Sequence, residues 1–287
     1  PVVARAIVRD RFQGLEAMRI FAFIGTALAL APAIAPILGG FIEEWAGWRF
    51  NFVVLVTVGL LLFAITLRKI EETHQPGADH SLHLRRLFTV YFRIGCNRYF
   101  LGNVLVGSLI FGGMFSYNTI APFLFIDQLG AAPHQYGYLM LFTVSSYATG
   151  SFLSGRLRHR VSGHRLIILG ASSAALGGLS LLLLSHELSF ARVIVPMMAF
   201  LFGMGLVLPP SISNAMHPFP THAGSASALM GFLQMFIGAM ATFVAQTLFE
   251  GTAATLGWIT SLFGAGSLLC YLVLTASGTP SDTEPNR

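Results

Sequence analysis

Charge is what this sequence has least of. Asp, Glu, Lys and Arg make up 10% of its 287 residues, against 54% hydrophobic residues, and mean hydropathy is +0.70. A soluble domain carries about 25% charged residues, so too few are present to keep a water-facing surface wet. Bilayer is the solvent that fits. Cysteine is almost missing too: Cys96 and Cys270 lie far apart, in or beside apolar segments, with neither metal spacing nor a disulfide framework. No His-Glu-x-x-His, phosphate loop or convincing Gly-x-Ser-x-Gly is present. Of the nine histidines, His217 and His222 share a loop that holds no carboxylate or cysteine partner. No metal, no cofactor and no enzymatic activity are therefore expected. The pI near 9.6 and the formal charge of +5 invite a nucleic-acid reading. However, the basic residues sit in short gaps between apolar runs, and no basic stripe with interleaved aromatics exists. Nucleic acid is excluded as a partner.

What the sequence has is long apolar runs. A spanning helix needs ~20 mainly apolar residues, and eight complete runs qualify: 20–42, 50–67, 99–126, 136–156, 165–185, 191–213, 223–248 and 254–276. A ninth, broken one ends near Val8, and the chain opens without Met inside the apolar Pro1-Val-Val-Ala. A cut segment, with further helices upstream, is the expectation. Alternating ~10-residue strands are absent, so the fold class is all-α, a polytopic membrane protein.

The basic residues orient it. Fifteen of the seventeen Lys and Arg fall on one side when the gaps are numbered alternately. They are Arg5, Arg9, Arg11 and Arg19, then the six between Arg68 and Arg98, then Arg156, Arg158, Arg160, Arg165, and last Arg287. Only Arg49 and Arg192 fall opposite. The rich side is assigned to the cytoplasm, which also puts the C-terminus there. Residues 68–98 form a polar, basic gap with two helices and a stub before it and six helices after. A six-helix second half predicts a six-helix first half, the two holding substrate between them at mid-membrane. The domains expected are 1–67, the end of the first half; 68–98, a cytoplasmic central loop; 99–277, the second half; and 278–287, a disordered tail.

The first complete helix reads Gly25-Thr-Ala-Leu-Ala-Leu-Ala31-Pro32-Ala-Ile-Ala35-Pro36-Ile-Leu-Gly39-Gly40. Two prolines four apart bend it. Ala31, Ala35 and Gly39 give a flat stripe for another helix, and periodicity by itself asks for nothing more than that packing seam. A second seam is expected along Gly224, Gly231, Gly238 and Ala245.

The Pro-Gly stretch resembles the fifth-helix antiporter motif of the major facilitator superfamily, with Ala35 where the motif has Gly before Pro36. Its flanks strengthen the likeness: Arg5-Ala-Ile-Val-Arg9-Asp10 before it, and Gly47-Trp48-Arg49-Phe50 after it. Further on come Gly112-Gly113-Met114-Phe115-Ser116-Tyr117, Ala121-Pro122-Phe123 and Phe219-Pro-Thr-His-Ala-Gly224. Together and in this order they resemble the bicyclomycin/chloramphenicol-resistance (Bcr/CflA) branch of drug:proton antiporters. The likeness runs from the end of the fourth helix to the twelfth.

That resemblance implies the twelve-helix fold without its first three helices, in a bacterial inner membrane. It implies proton-coupled multidrug efflux by alternating access, with protons and small amphipathic molecules as partners and a monomer as the working unit. Ala31, Pro32, Ala35, Pro36, Gly39 and Gly40 would seal the two halves and suppress proton leak. The family's coupling acid belongs to its first helix, so residues 1–287 alone are not expected to pump. None of the twelve acidic residues here lies mid-helix; Glu43, Glu44, Asp127, Glu187 and Glu250 all stand at outer ends.

Polar groups at bilayer depth are costly unless functional or bonded to a neighbouring helix. Cavity candidates on the seventh helix are Asn103, Met114, Tyr117 and Asn118. Ser146 and Tyr147 follow on the eighth, Asn214 on the tenth and Gln234 on the eleventh. Helix packing accounts for each of them equally well. Arg9, Asp10 and Arg156 are candidates for a cytoplasmic gate or an interfacial anchor. A passive channel and an intramembrane enzyme are the alternatives to transport; neither repeated polar rings nor filter loops favour the first.

Overall fold

An apolar segment in lipid has to satisfy every backbone N–H and C=O within itself, and helix is how a single segment does so. The computed structural model describes residues 20, 34–69, 84–219 and 222–275 of the chain. Nine α-helices run through these residues, and no strand occurs among them. Helix α1 covers residues 34–46 and α2 Trp48–Lys69. Next come α3 Leu84–Gly95, α4 Arg98–Pro122, α5 Pro133–Leu157 and α6 Gly163–Leu184. Helix α7 is Phe190–Met216, α8 Ala223–Leu248 and α9 Ala253–Thr275. Among the described residues, six helices are long and apolar enough to cross a membrane: α2, α4, α6, α7, α8 and α9. Helix α5 has the length, at 25 residues, but carries three His, Gln or Arg side chains and a run of Ser, Thr and Tyr.

Local chemistry fixes the ends. Asn97 starts α4 by accepting from the Phe100 N–H at 2.9 Å, and Ser162 and Ser189 cap α6 and α7 in the same way. Gly47, with φ +81°, turns α1 into α2 where a side chain would be strained. At the far end of α4, Pro122 offers no N–H, and the chain continues as a π-helical stretch, Phe123–Gln128. The sequence reading ended this helix at 126.

Within the expected connection 68–98, Leu84–Gly95 folds as an amphipathic helix, α3. Its Ile94 is buried with Phe100, Val104, Ala215 and Ala226, packed by Val90, Leu229 and Leu233.

The described residues cluster into two compact units: 34–69 with 132–141, and 84–131 with 142–275. In the second, helices meet through glycine. A Cβ on Gly170 would stand 2.6 Å from the Gly203 carbonyl oxygen of α7, and one on Gly178 2.5 Å from Ser261 N of α9. Gly257 and Gly264 of α9 lie against Leu182 and Ala175 of α6 with 2.6 and 2.7 Å for such a Cβ. Lipid gives apolar side chains no reason to leave it, so helices associate through close backbone approach and hydroxyl bonds. Such bonds are made by Ser146 to Met198 O (2.7 Å), Ser154 to Leu206 O (3.1 Å) and Ser173 to Ala199 O (2.8 Å). The expected seam on α8 is only half realised. Gly238 packs on the Phe115 ring and Ala245 is buried, but a Cβ on Gly224 or Gly231 would meet open space.

Candidate functional site

The first unit holds the end of the Pro-Gly motif. Ala31 and Pro32 lie outside the described residues; Ala35, Pro36, Gly39 and Gly40 lie on α1. Residues 132–141, which open α5, are packed directly on it. A Cβ on Gly40 would stand 2.6 Å from Pro133 O, 2.8 Å from Pro133 C and 2.9 Å from His134 Cα. From the other side, a Cβ on Gly137 would stand 2.8 Å from Ile37 Cα and 3.0 Å from Pro36 O. Backbone thus lies on backbone at two points. Residues four apart share a helix face, so the line of contact on α1 is Pro36, Gly40 and Glu44. The stripe read from the sequence, Ala35 and Gly39, is the adjacent one. Ala35 is exposed, and Gly39 faces α2: its carbonyl accepts from Asn51 Nδ2 at 3.3 Å.

Just beyond the close contact the seam becomes aromatic and then ionic. The Phe41 ring stacks on His134 with centroids 5.5 Å apart, and Tyr138 meets both rings edge-on. His134 Nδ1 lies 2.6 Å from Glu44 Oε2. A carboxylate only accepts, so the imidazole N–H donates. Nothing in the sequence pairs residues 90 positions apart, and neither side chain was a site candidate. Their only signal was Glu44 at an outer helix end.

In the second unit, Asn103 is 1% exposed on α4, its Nδ2 donating to Tyr99 O at 2.9 Å, while its Oδ1 finds no partner among the described residues. Tyr117 is fully buried on the same helix, Met114 half-buried and Asn118 exposed. Gln234 of α8 and Ser211 of α7 come together beside Gly107 of α4, where a Cβ would meet Ser211 Oγ at 3.5 Å and Gln234 Nε2 at 3.9 Å. This polar point lies one helical turn from Asn103, and Ser211 is the member that sequence reasoning missed. Tyr147 and Asn214 are half-buried, and Ser146 is bonded to α7. The Gly112-Gly113 pair makes room for Phe263, Ile237 and Phe200.

Arg156 is exposed at the end of α5; Arg9 and Asp10 lie outside the described residues. A further polar contact, His164 Nδ1 to Tyr271 Oη at 3.0 Å, ties the start of α6 to the end of α9. No group of three or more His, Cys, Asp or Glu able to hold a metal occurs among the described residues.

The model of the Major Facilitator Superfamily matches residues 1–242. A bicyclomycin resistance protein homolog of Haemophilus influenzae is 26% identical over 281 residues, which are 98% of this chain and 71% of the relative. Multidrug resistance protein MdtL of a Shewanella strain is 27% identical, with 99% of this chain and 71% of its own covered. Multidrug resistance protein D of Escherichia coli is 26% identical, with 95% and 68% covered.

Proposed function

This chain belongs to the major facilitator superfamily of membrane transporters, and on that premise we propose that it serves a proton-coupled exporter of small amphipathic molecules. Multi-pass insertion and a transported small molecule follow from the family. The finer reading is an antiporter of the bicyclomycin/chloramphenicol-resistance kind in a bacterial inner membrane, its C-terminus cytoplasmic. It works as a monomer by alternating access.

The observation that carries this reading is the glycine seam between α1 and the start of α5. Alternating access needs a closure tight enough to exclude water and protons, yet one that can separate as a unit. Contact through Gly40 and Gly137 offers both. At these two points backbone meets backbone directly, so little repacking there opposes their parting. On this reading α1 belongs to the first half of the transporter and α5 to the second, with residues 68–98 tethering the halves. The buried amide of Asn103, one turn from where Ser211 and Gln234 approach Gly107, supports a pocket in the second half, since such a group is costly at bilayer depth without a task. Relatives named for drug resistance agree with export of such compounds.

Cells expressing the protein with both six-helix halves complete are expected to retain less of an amphipathic dye or antibiotic than cells carrying an empty vector. Equal retention across a panel of such compounds, with the protein present in the membrane, would sink the export reading.

A further inference from the structure

Among the described residues of the second unit, no carboxylate stands at the end where α4 begins. Asp127 and Glu187 follow the ends of α4 and α6, and Glu250 precedes α9. The start of α4 is at the other end: Gly102 lies against Leu274 and Thr275 of α9, whose Tyr271 bonds His164 at the start of α6. Arginines at that end therefore face outward without a described carboxylate beside them. We propose that they include a binding site for the phosphate headgroup of an anionic phospholipid, in a cleft between α3 and the connection from α7 to α8. The site goes beyond the export reading and needs only that the chain spans a membrane, which its family supplies.

The cleft has a volume of about 240 Å³ and is lined by Val90, Arg93, Ile94, Pro218, Phe219 and His222. It lies where spans end. Helix α3 leads through Cys96 and Asn97 into α4, and the other wall joins α7 to α8; α4, α7 and α8 all qualify as spans. Basic and aromatic groups beside span ends sit at headgroup level. The floor is firm, because Ile94 is buried with Phe100, Ala215 and Ala226, and the Phe100 ring meets Phe219 edge-on at 5.8 Å. Arg93 is exposed on the last turn of α3, and His222 is exposed on the other wall. Phe92 is 75% exposed, an aromatic ring turned outward from a helix whose Ile94 is turned to protein.

The lining selects a lipid over a simple anion. A guanidinium presents a planar fork of N–H donors that matches two oxygens of a phosphate, and an imidazole adds at least one further N–H. Val90, Ile94, Pro218 and Phe219 make the rest apolar. A free phosphate has no use for that wall, whereas a glycerol backbone and the first carbons of its acyl chains do. Size agrees, since a cleft enclosing a drug-sized molecule measures about 300–1,000 Å³; this one takes a headgroup whose tails stay in the bilayer. Charge agrees as well. Arg98, Arg158 and Arg165 stand at the same end, and α3 carries Arg85 and Arg86 besides Arg93. Juxtamembrane clusters of this kind attract anionic lipid. A lipid held here bridges α3 to the α7–α8 connection, fastening the end of the 68–98 segment to the second unit.

The test is amide hydrogen exchange of peptides covering 84–97 and 222–230. The protein, with both six-helix halves complete, is placed in nanodiscs of phosphatidylcholine alone or mixed with phosphatidylglycerol. A ligand that bridges the two walls slows their opening. One arginine beside anionic lipid is worth roughly fivefold, so phosphatidylglycerol is expected to raise protection by about that factor. The gain is lost in Arg93→Gln and kept in Arg98→Gln, whose charge lies at the same end but outside the cleft. Glycerol 3-phosphate, added to phosphatidylcholine discs, gives no gain. Peptides of the α6–α7 crossing report that each variant is folded. Equal protection in both lipids overturns the site, and equal losses in the two variants overturn it by reducing it to diffuse surface charge. Protection by glycerol 3-phosphate overturns it in favour of a soluble phosphate ligand. No transported compound enters the readout, so each of these results leaves the export reading to its own retention test.

Discussion

Replacing Gly40 with leucine abolishes export while leaving the protein folded and inserted. The first atom of any side chain there would stand 2.6 to 2.9 Å from three backbone atoms of Pro133 and His134. Backbone cannot rotate aside as a side chain would, so α1 and α5 must part. Forcing extra carbon into a packed contact costs about 1–3 kcal/mol, which depletes the closed state roughly five- to 150-fold. The cost falls on a seam that joins 34–46 to 132–141, while the helices of the second unit keep their own contacts. Gly39→Ala is the control. Its Cβ would meet only Asn51 Oδ1, at an ordinary 3.8 Å, and export should fall less than about twofold. Dye retention, read beside the amount of protein in the membrane, separates the two. Full export by Gly40→Leu would mean that this seam has no part in transport.

Gly170→Leu is expected to fail in the opposite manner, by losing the fold. Its Cβ would stand 2.6 Å from Gly203 O, 2.8 Å from Leu206 Cβ and 2.8 Å from Val207 Cγ2, at the crossing of α6 and α7. Gly203 answers it from α7, where a Cβ would run into the Gly170 carbonyl. This crossing also carries the bond from Ser173 to Ala199 O. Separating the helices by even an ångström loses that bond and the buried contacts of Leu166, Ile167 and Val207 together. A penalty of about 3 kcal/mol or more lowers the midpoint of thermal unfolding by about 6–12 °C for a protein of this size. Fluorescence-detected unfolding of the detergent-solubilised chain measures it. An unchanged midpoint would contradict the glycine-mediated packing described here.

The sequence made the helices legible because lipid leaves so little choice. Runs such as 165–185, 191–213 and 254–276 are recovered within a few residues as α6, α7 and α9. The family was legible because prolines and glycines at fixed spacing record backbone needs that substitution does not blur. What a one-dimensional pattern cannot hold is which face of a helix meets which neighbour. The small residues Ala35 and Gly39 pointed to one stripe, and the close contact runs along the next, through Pro36, Gly40 and Glu44. Rotation about the helix axis is decided by the partner, not by the helix. Gly224 and Gly231 mislead for the same reason, lying in register with Gly238 but beyond the reach of α4. Helix α3 was missed because 12 residues are too few to span and its charges match a loop; its apolar side is visible only once Phe100 and Ala226 stand against it. Ser146 looked like a cavity residue and is found bonded to a backbone carbonyl of α7. The Glu44–His134 contact joins two helix-end residues that only tertiary structure brings together.

The central claim is that a proton gradient drives export through this protein. The most direct test reconstitutes the protein, with both six-helix halves complete, in liposomes and imposes a pH gradient of either sign. Uncharged amphipathic antibiotics such as bicyclomycin and chloramphenicol are the probes, because a pH gradient does not move them unaided. The account predicts uptake when the interior is acidic, no net uptake when it is alkaline, and none once a protonophore dissipates the gradient. Uptake at equal rates under both gradients would instead describe a passive route, and would contradict it.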